Sequence, residues 1–270
     1  MPFDPADDLK AAVTGVQWYH TLELAPGVVT PGWFDLRGLA PTLPFPSLTG
    51  ARCLDVGTFD GFWAFEMERR GAREVVAVDL LDPERWDWPY GSESSIVEDI
   101  GERKRAGTGF ELAAELLKSR VVRHDMSVYD LDPEVIGEFD FVYVGSLLLH
   151  LRDPVLALEH VRRVCAGTLL LVDAIDLTLS MRHPRRAIAS LDGLGRPWWW
   201  KPNVAGLVRM VEAAGFTVVA PPQRVLMPPG AGQHRAMPTL RQVRDRTSRV
   251  AAFHAWRGDP HAAIQATRRV

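Results

Sequence analysis

The sequence has few of the residues that define disulfide-rich, metal-binding or membrane-spanning proteins. Its 270 residues include only two cysteines, Cys53 and Cys165. These are far apart, and no cluster of Cys, His or acidic residues has metal-ligand spacing. The sequence also lacks a run of about eighteen apolar residues, the length of a membrane-spanning helix. We therefore predict two buried free thiols, no metal and no membrane partner.

The sequence also lacks a large excess of positive or negative charge. The formal net charge is −3, so the chain has no general attraction to phosphate backbones. Residues 1–8 are acidic and lack the basic and apolar regions of a signal peptide, which predicts a cytoplasmic location. With 47% hydrophobic and 24% charged residues, the composition is that of a globular protein with one large domain.

The most informative stretch is residues 54–62, Leu-Asp-Val-Gly-Thr-Phe-Asp-Gly-Phe. Its apolar start predicts the end of a buried parallel strand. Gly57 and Gly61 fall where the chain turns sharply and a ligand approaches the backbone. A helix-like segment then ends at Gly71, and a second apolar run ends at Asp79. The pattern predicts a strand, a ligand-binding loop, a helix and a strand, connected with right-handed topology.

Acidic residues in this loop indicate the class of ligand. A dinucleotide site uses the pattern Gly-x-Gly-x-x-Gly and places a pyrophosphate at the helix N-terminus. Here Asp55 opens the loop and Asp60 lies inside it, and both would repel a pyrophosphate. They suit a ligand with an ammonium and a sulfonium, as S-adenosylmethionine (SAM) has. Asp79 is placed to accept hydrogen bonds from ribose hydroxyls in either class of ligand.

Further segments, in the same order, resemble class I SAM-dependent methyltransferases. Residues 121–127 are similar to that family's third strand and adenine-binding turn, 139–146 to the fourth strand, 148–154 to the segment after it, 168–172 to the fifth strand, and 202–219 to a last helix and a terminal strand. The resemblance implies an α/β fold, a Rossmann-like doubly wound sheet with an N-terminal extension and insertions that cover the substrate. Phe59 departs from the family, in which many members have Gly at that place.

The resemblance also implies which residues contact the cofactor, SAM. The methionine portion is expected next to Asp55 and Gly57, and the ribose next to Asp79. Asp125 is expected to meet the adenine amine and Met126 to cover the ring. The full set of predicted cofactor-binding residues is Asp55, Gly57, Thr58, Gly61, Asp79, Leu80, Asp125, Met126 and Gly145.

Methyl transfer requires the acceptor to be held in line with the methyl group and, for some acceptors, to lose a proton. His150, just after the fourth strand, is the first candidate for the base, because imidazole titrates near neutral pH. A structural His at this turn is the alternative. His20 and Tyr19 are the second candidates, and His183 is the third.

The chain is predicted to divide into three regions. Residues 1–50 form a wrapping or cover segment, 51–230 the SAM-binding domain, and 231–270 an Arg-rich tail. Insertions at 81–108 and 173–201 leave the sheet at the edge where open α/β folds bind ligands. Aromatic residues in these regions are predicted to contact the substrate, with plain packing as the alternative: Trp18, Trp33, Trp88, Trp199 and Trp200.

The Tyr19-His20 pair and residues 148–154 are also similar to relatives of the wobble-uridine tRNA carboxymethyltransferases, which use carboxy-SAM. Leu149 stands where that group has a Tyr, so SAM is predicted rather than carboxy-SAM. The leading hypothesis is a methyltransferase for a small-molecule acceptor, an aromatic or hydroxylated specialised metabolite. The alternatives are a tRNA wobble-uridine-modifying enzyme, supported by the Arg-rich tail, and a non-catalytic SAM-binding partner protein. A homodimer is left open.

Overall fold

The structure is a computed structural model that describes residues 5–92, 98, 100–102, 108–191, 198–233 and 257–269. Its α-helices in these ranges are α1 Pro5–Thr14, α2 Phe62–Arg69, α3 Thr108–Leu117, α4 Pro133–Ile136, α5 Pro154–Val164, α6 Leu177–Arg182 and α7 Val204–Ala213. The strands are β1 Glu23–Ala25, β2 Val28–Val29, β3 Arg52–Val56, β4 Glu74–Asp79, β5 Val122–Asp125, β6 Phe139–Gly145, β7 Cys165–Ala174, β8 Ala189–Leu191, β9 Trp200–Pro202, β10 Phe216–Val218, β11 Gln223–Met227 and β12 Asp259–Arg268.

The main sheet has eight strands. Their order is β10-β12-β7-β6-β3-β4-β5, and β11 also pairs with β12. The strands from β3 to β7 are parallel to one another, whereas β12 is antiparallel to β7. The order reverses between β3 and β6, and in open α/β sheets ligands bind beyond the carboxyl ends of the strands at such a point. The predicted doubly wound α/β fold of the class I methyltransferase type is confirmed.

Local sequence explains why these elements form. The central strands β3, β4 and β6 are nearly continuous apolar runs, as expected for parallel strands covered on both faces. Helix α5 begins where Asp153 accepts a hydrogen bond from the backbone N–H of Leu156 (2.9 Å), with Pro154 in the first turn. Its apolar face is buried because Ala157 and Leu158 recur at helical spacing.

Each face of the sheet carries its own apolar core. One core contains side chains of α2, α3 and the N-terminal segment, and the other contains side chains of α5 and α7. Cys53 lies in the first core and Cys165 in the second, and both are buried free thiols. Burial raises the pKa of each thiol to about 12. Both cysteines therefore behave as small apolar residues.

The strand β12 corrects the predicted division of the chain. Residues 259–268 were assigned to an Arg-rich tail, but they lie between β7 and the strands β10 and β11. The side chains of Ala262 and Ile264 are fully buried. The SAM-binding fold therefore extends to residue 268 instead of ending at 230.

The arginines of the predicted tail, residues 231–270, support the hypothesis that the protein contacts RNA. Arg268 pairs instead with Glu138, with 3.2 Å between Nη1 and Oε1. Arg257 and Arg269 also lie in the described ranges. The remaining tail arginines proposed for this contact lie outside the described residues: Arg235, Arg241, Arg244, Arg246 and Arg249. None of the helices in the described ranges is long and apolar enough to cross a membrane.

Candidate functional site

The loop between β3 and α2 depends on glycine at two positions. Gly57 has φ of +81° and Gly61 has φ of +93°, in the left-handed region that L side chains rarely adopt. A Cβ on Gly57 would lie 3.4 Å from the side chain of Leu147. A Cβ on Gly61 would collide with the ring of Phe65. The loop thus brings its main chain close to the carboxyl edge of the sheet.

Phe59 adopts the same kind of backbone conformation without being a glycine. Its φ is +52°, a value at which a side chain costs roughly 1 kcal/mol relative to glycine. Its backbone N–H donates to Oδ2 of Asp79 (2.8 Å). Its ring stacks on Tyr19, with 4.4 Å between centroids and 23° between planes. The bulky residue therefore joins the loop to the N-terminal segment.

Asp55 is a buried acid whose hydrogen bonding is incomplete. Its residue is 1% exposed, and among the described residues neither its Oδ2 nor the Thr58 hydroxyl has a hydrogen-bond partner. Burial raises the pKa of Asp55 to about 7, although Thr58 and His20 act in the opposite direction. An unsatisfied buried acid is costly, and an ammonium group next to it would restore its charged form. These two side chains fit a cationic ligand such as the methionine portion of SAM.

Asp79 and Asp125 lie opposite each other at the ends of β4 and β5. Asp79 is buried and accepts hydrogen bonds from Phe59 and from the backbone N–H of Leu80 (2.9 Å). Asp125 accepts from the backbone N–H of Leu81 (3.1 Å) and pairs with Arg85 at 3.3 Å. Met126 donates its backbone N–H to the carbonyl of Asp79. The predicted ribose and adenine contacts therefore adjoin the glycine loop.

Asp60 fastens the N-terminal segment to this loop. Its Oδ2 accepts hydrogen bonds from the backbone N–H groups of Tyr19 and His20, each at 2.8 Å. Its Oδ1 pairs with Nδ1 of the buried His20. The segment is also tied to itself, since the N–H of Thr21 donates to the carbonyl of Phe34 (2.8 Å). The N-terminal segment thus lies directly on the glycine loop.

Tyr19, one of the candidate bases, lies in surroundings that are unfavourable for the loss of its phenol proton. Burial raises the pKa of its phenol well above the ordinary value. Three carboxylates raise the pKa further, those of Asp259, Asp60 and Asp173. The phenol therefore keeps its proton at neutral pH and is a hydrogen-bond donor.

The end of β6 brings together two residues that no pattern in the sequence indicated. Ser146 has φ of +49°, and its hydroxyl lies 2.9 Å from Nε2 of His261 and 3.0 Å from the sulfur of Met227. Nδ1 of His261 lies 2.9 Å from the carbonyl oxygen of Asp259. A Cβ on the preceding residue, Gly145, would collide with Tyr143, so glycine is required there. The two residues meet because β12 pairs with β7, far from Ser146 in the sequence.

His150 lies on the 3-10 turn Leu148–His150, which the buried Asp173 supports. Asp173 accepts hydrogen bonds from the backbone N–H groups of Leu147 and Leu148, each at 2.8 Å. Burial raises the pKa of Asp173 to about 6, against these hydrogen bonds. The remaining histidine candidate, His183, is exposed at the end of α6.

The predicted substrate-binding tryptophans fall into two groups. Trp18 is fully buried in the core and its indole N–H donates to the carbonyl of Val13 (2.8 Å), so its prediction as a substrate contact is wrong. The others are partly exposed, and Trp33 lies 6.0 Å from the ring of Tyr19. The indoles of Trp88, Trp199 and Trp200 each donate to a main-chain carbonyl. These three N–H groups hold the insertions together and are not offered to a substrate.

Asp87 connects the two insertions. Its carboxylate accepts hydrogen bonds from the Tyr129 hydroxyl (2.8 Å) and from the backbone N–H of Arg152 (2.9 Å). Its carbonyl oxygen accepts from the indole of Trp199 (2.5 Å), and the guanidinium of Arg152 lies 5.3 Å from the centre of the same Trp ring. The first insertion, the turn after β5 and the second insertion therefore form one connected surface.

A pocket of about 370 Å³ opens beside the Ser146–His261 contact. Its walls come from the N-terminal segment at Leu39 and Thr42, from the residues after β7, and from β11 and β12. His261 is part of the wall. The pocket lies at the edge where β7 ends and β12 begins, because Ala174 pairs with His261.

A doubly wound sheet with this strand order, a glycine loop with buried acids and an acid at the tip of the next strand defines a class I SAM-dependent methyltransferase. The chain belongs to the methyltransferase domain family, whose model matches residues 35–220. The prediction of a methyltransferase enzyme with SAM as its cofactor is confirmed.

Two curated relatives are tRNA U34 carboxymethyltransferases. The protein from Dichelobacter nodosus is 27% identical over 181 residues, which are 64% of this chain and 47% of the relative. The protein from Campylobacter hominis is 23% identical over 180 residues, which are 64% of this chain and 53% of the relative. The chain thus spans about half the length of the curated relatives that it matches.

Among solved structures, the N-terminal domain of EvdMO1, with S-adenosylhomocysteine (SAH) bound, has a TM-score of 0.54. It is 15% identical, and the match covers 99% of this chain and 98% of that domain. At this identity the match shows the fold.

Proposed function

We propose that this methyltransferase transfers the methyl group of SAM to a small-molecule acceptor. The observation that supports the acceptor class most is the pocket of about 370 Å³ at the carboxyl edge of the sheet. Its volume is within the range of small-molecule sites, and Leu39, Val225 and Ile175 give it an apolar lining. The N-terminal segment forms part of its wall, as expected for a substrate cover.

SAM supplies a methyl group that its sulfonium has already activated, so the protein mainly binds and orients the reactants. Asp55, Gly57 and Thr58 are proposed to hold the methionine portion. Asp79 is proposed to hold the ribose, and the residues proposed around the adenine are Leu80, Asp125 and Met126. Gly61 and Gly145 are proposed to let the main chain approach the ligand.

Electrostatics favour a neutral acceptor over a nucleic acid. Buried carboxylates lie at the carboxyl edge of the sheet, among them Asp173 under the turn after β6 and Asp60 in the glycine loop. A nucleic-acid backbone would be repelled by this acidic site and needs a basic surface instead.

The second candidate is a tRNA wobble-uridine-modifying enzyme, supported by the names of the two curated relatives. Against it stands Leu149, which is buried and has no hydroxyl group for the carboxylate of carboxy-SAM. The third hypothesis, a non-catalytic SAM-binding protein, gives way to the methyltransferase enzyme that the family match supports.

Calorimetry with SAM, SAH and carboxy-SAM tests the cofactor. We expect SAM and SAH to bind and carboxy-SAM to bind more weakly. The substitution Asp79→Ala should weaken SAM binding at least tenfold, because it removes the ribose acceptor and the partner of Phe59. Unchanged affinity would show that Asp79 does not hold the ribose. Glu159→Gln, on the exposed face of α5, is the matched control.

SAH formation tests the acceptor. The enzyme is incubated with SAM and either bulk tRNA or a panel of phenols and hydroxylated small molecules. Turnover with the panel and no salt-sensitive binding of tRNA is the expected result. Methylation of tRNA alone would replace the small-molecule proposal with the second candidate.

A further inference from the structure

We propose that the Ser146–His261 pair takes up the proton of the acceptor, and that the adjoining pocket binds a compact, mainly apolar molecule with a hydroxyl group. This inference rests on the proposed function, because it names the acceptor class and the proton-accepting group of that same site.

The hydrogen bonds around His261 fix the direction in which a proton moves. The carbonyl oxygen of Asp259 is only an acceptor, so Nδ1 of His261 must carry the proton in that contact. In the neutral ring Nε2 is then bare. It is a stronger acceptor than the thioether sulfur of Met227, the other neighbour of the Ser146 hydroxyl, so the single hydroxyl proton goes to Nε2. A hydroxyl that donates to a neutral imidazole, itself oriented by a third group, is the arrangement in which proteins activate a weak acid.

The backbone places Ser146 where the reaction is proposed to occur. β6 ends at Gly145, next to the glycine loop that follows β3, because β3 and β6 are neighbours in the sheet. The left-handed φ of Ser146 is unfavourable for a side chain, and such residues persist where the surroundings hold them and often mark functional sites. Its N–H donates to the carbonyl of Val172 (2.9 Å), which anchors it between β6 and β7.

His261 belongs to both the proton-accepting pair and the pocket. Its Nε2 contacts the hydroxyl of Ser146, and the residue also lines the pocket. Apolar side chains such as Val225 and Leu226 supply other parts of the wall, and the pocket's volume suits one or two fused rings. In this proposal the acceptor's ring occupies the pocket and its hydroxyl is directed past His261 toward Ser146.

The proton transfer balances without a further reactant. As the acceptor oxygen forms its bond to the methyl carbon, the carbon–sulfur bond breaks and its electron pair stays on sulfur. The acceptor hydroxyl gives its proton to Ser146 Oγ, and Ser146 gives its own proton to Nε2 of His261. His261 becomes an imidazolium whose Nδ1–H still donates to the carbonyl of Asp259.

The other candidate groups are less suited to this step. Nδ1 of His20 is already paired with Asp60 beneath the N-terminal segment. Tyr19 holds its own proton because burial and nearby carboxylates raise its pKa. His150 lies on the turn that follows Ser146. The competing hypothesis is therefore that His150, and not the Ser146–His261 pair, accepts the proton, and the experiment must distinguish the two.

The experiment measures ligand binding and needs no turnover. Phenol and anisole, its methylated counterpart without a hydroxyl donor, are titrated by NMR into the protein saturated with SAH. We expect phenol to bind at least three times more tightly than anisole and to shift the ¹⁵N signals of His261. In Ser146→Ala the ratio should fall to about one, whereas Ser190→Ala, in β8, should leave it unchanged. Leu226→Trp, which fills the pocket, should abolish binding of both.

The tautomer of His261 gives a second readout, independent of any acceptor. Long-range ¹H–¹⁵N spectra should show a protonated Nδ1 and a bare Nε2, with the signals assigned by their loss in His261→Gln. A protonated Nε2 would overturn the inference, as would a phenol preference that survives in Ser146→Ala or disappears in His150→Ala. If phenol fails to bind while SAH binds, only this inference fails. If SAH itself fails to bind, the result contradicts the proposed function, on which this inference rests.

Discussion

Phe59 holds a strained backbone at the centre of the cofactor loop, and its ring offsets that strain. The residue has φ of +52°, where glycine is favoured, yet it stacks on Tyr19 and donates its N–H to Asp79. Stacked aromatic pairs contribute about 0.5–1.5 kcal/mol beyond area burial, which is similar to the cost of the backbone conformation. The family's usual glycine and this phenylalanine are therefore alternative ways to build one loop.

Because of this balance, we expect Gly to be more stable than Ala at residue 59, the reverse of the order inside a helix. Phe59→Gly should be more stable than Phe59→Ala by about 1 kcal/mol, because both lose the ring but only Ala keeps the strain. Urea unfolding with SAH absent measures the difference. At Glu115, inside helix α3, the order should be the usual one, with Ala more stable than Gly by about 1 kcal/mol. An Ala variant at least as stable as the Gly variant at residue 59 would contradict the argument.

At this scale the sequence identified residue types but not their environments. The acids of the loop predict a cationic ligand, because their charge is evident from their identity. No sequence pattern indicates the left-handed backbone of Phe59, since its φ depends on how the loop meets Asp79. Trp18 was misjudged because an aromatic residue in an irregular segment has the same sequence signature whether it faces a ligand or the core.

The N-terminal cover packs into one apolar core, and three of its polar contacts meet at one carboxylate. Asp60 accepts from the backbone of Tyr19 and His20 and pairs with the His20 side chain, and all three contacts are buried or partly buried. Leaving a buried hydrogen-bond donor without its acceptor costs about 1–3 kcal/mol. The cover therefore depends on Asp60 more than on any surface contact of the same segment.

Asp60→Ala should loosen the cover around Tyr19 and His20 while the sheet remains folded. Hydrogen exchange at the amides of Tyr19, His20 and Thr21 should accelerate at least a hundredfold, because their local stability depends on Asp60. Asp35→Ala, which removes an exposed pair with Arg37, should change exchange at these amides by less than about fivefold. Equal acceleration in the two variants would show that the cover is held elsewhere.

Strand β12 is the element that the sequence did not reveal. Its residues include Ala262, Ala263 and Ala266, whereas strands are usually enriched in β-branched and aromatic residues. The Arg-rich residues before it also resemble a solvated tail. The parallel strands β3, β4 and β6 were predicted because their apolar runs are bounded by turn residues. Since Ser146 and His261 meet only through β12, the sequence did not predict their contact either.

Over the whole molecule, ligand binding and stability are linked through buried acids. The pKa of Asp55 is about 7 and that of Asp173 about 6, against an ordinary value of 3.8. From about pH 4 up to these folded-state pKa values, the two carboxyl groups bind more protons in the folded protein than in the unfolded chain. Stability from these groups is therefore greatest at low pH and falls as the pH rises to about 7. A cation beside Asp55 removes this cost by favouring the carboxylate.

Asp55→Asn tests this linkage, because the amide has the shape of the acid but no charge. Without ligand, the variant should match the wild type near pH 5 and be more stable by about 1–3 kcal/mol near pH 8. With saturating SAH, whose ammonium group is proposed to lie beside Asp55, the wild type should regain that difference. Wild-type SAH binding near pH 7 should also release a proton, measurable as a buffer-dependent binding enthalpy, and the variant should release less. Glu159→Gln, at an exposed position on α5, should follow the wild type throughout. A stability difference that does not depend on pH would mean that Asp55 is charged in the free protein, and its hydrogen bonding would then need a donor other than the ligand.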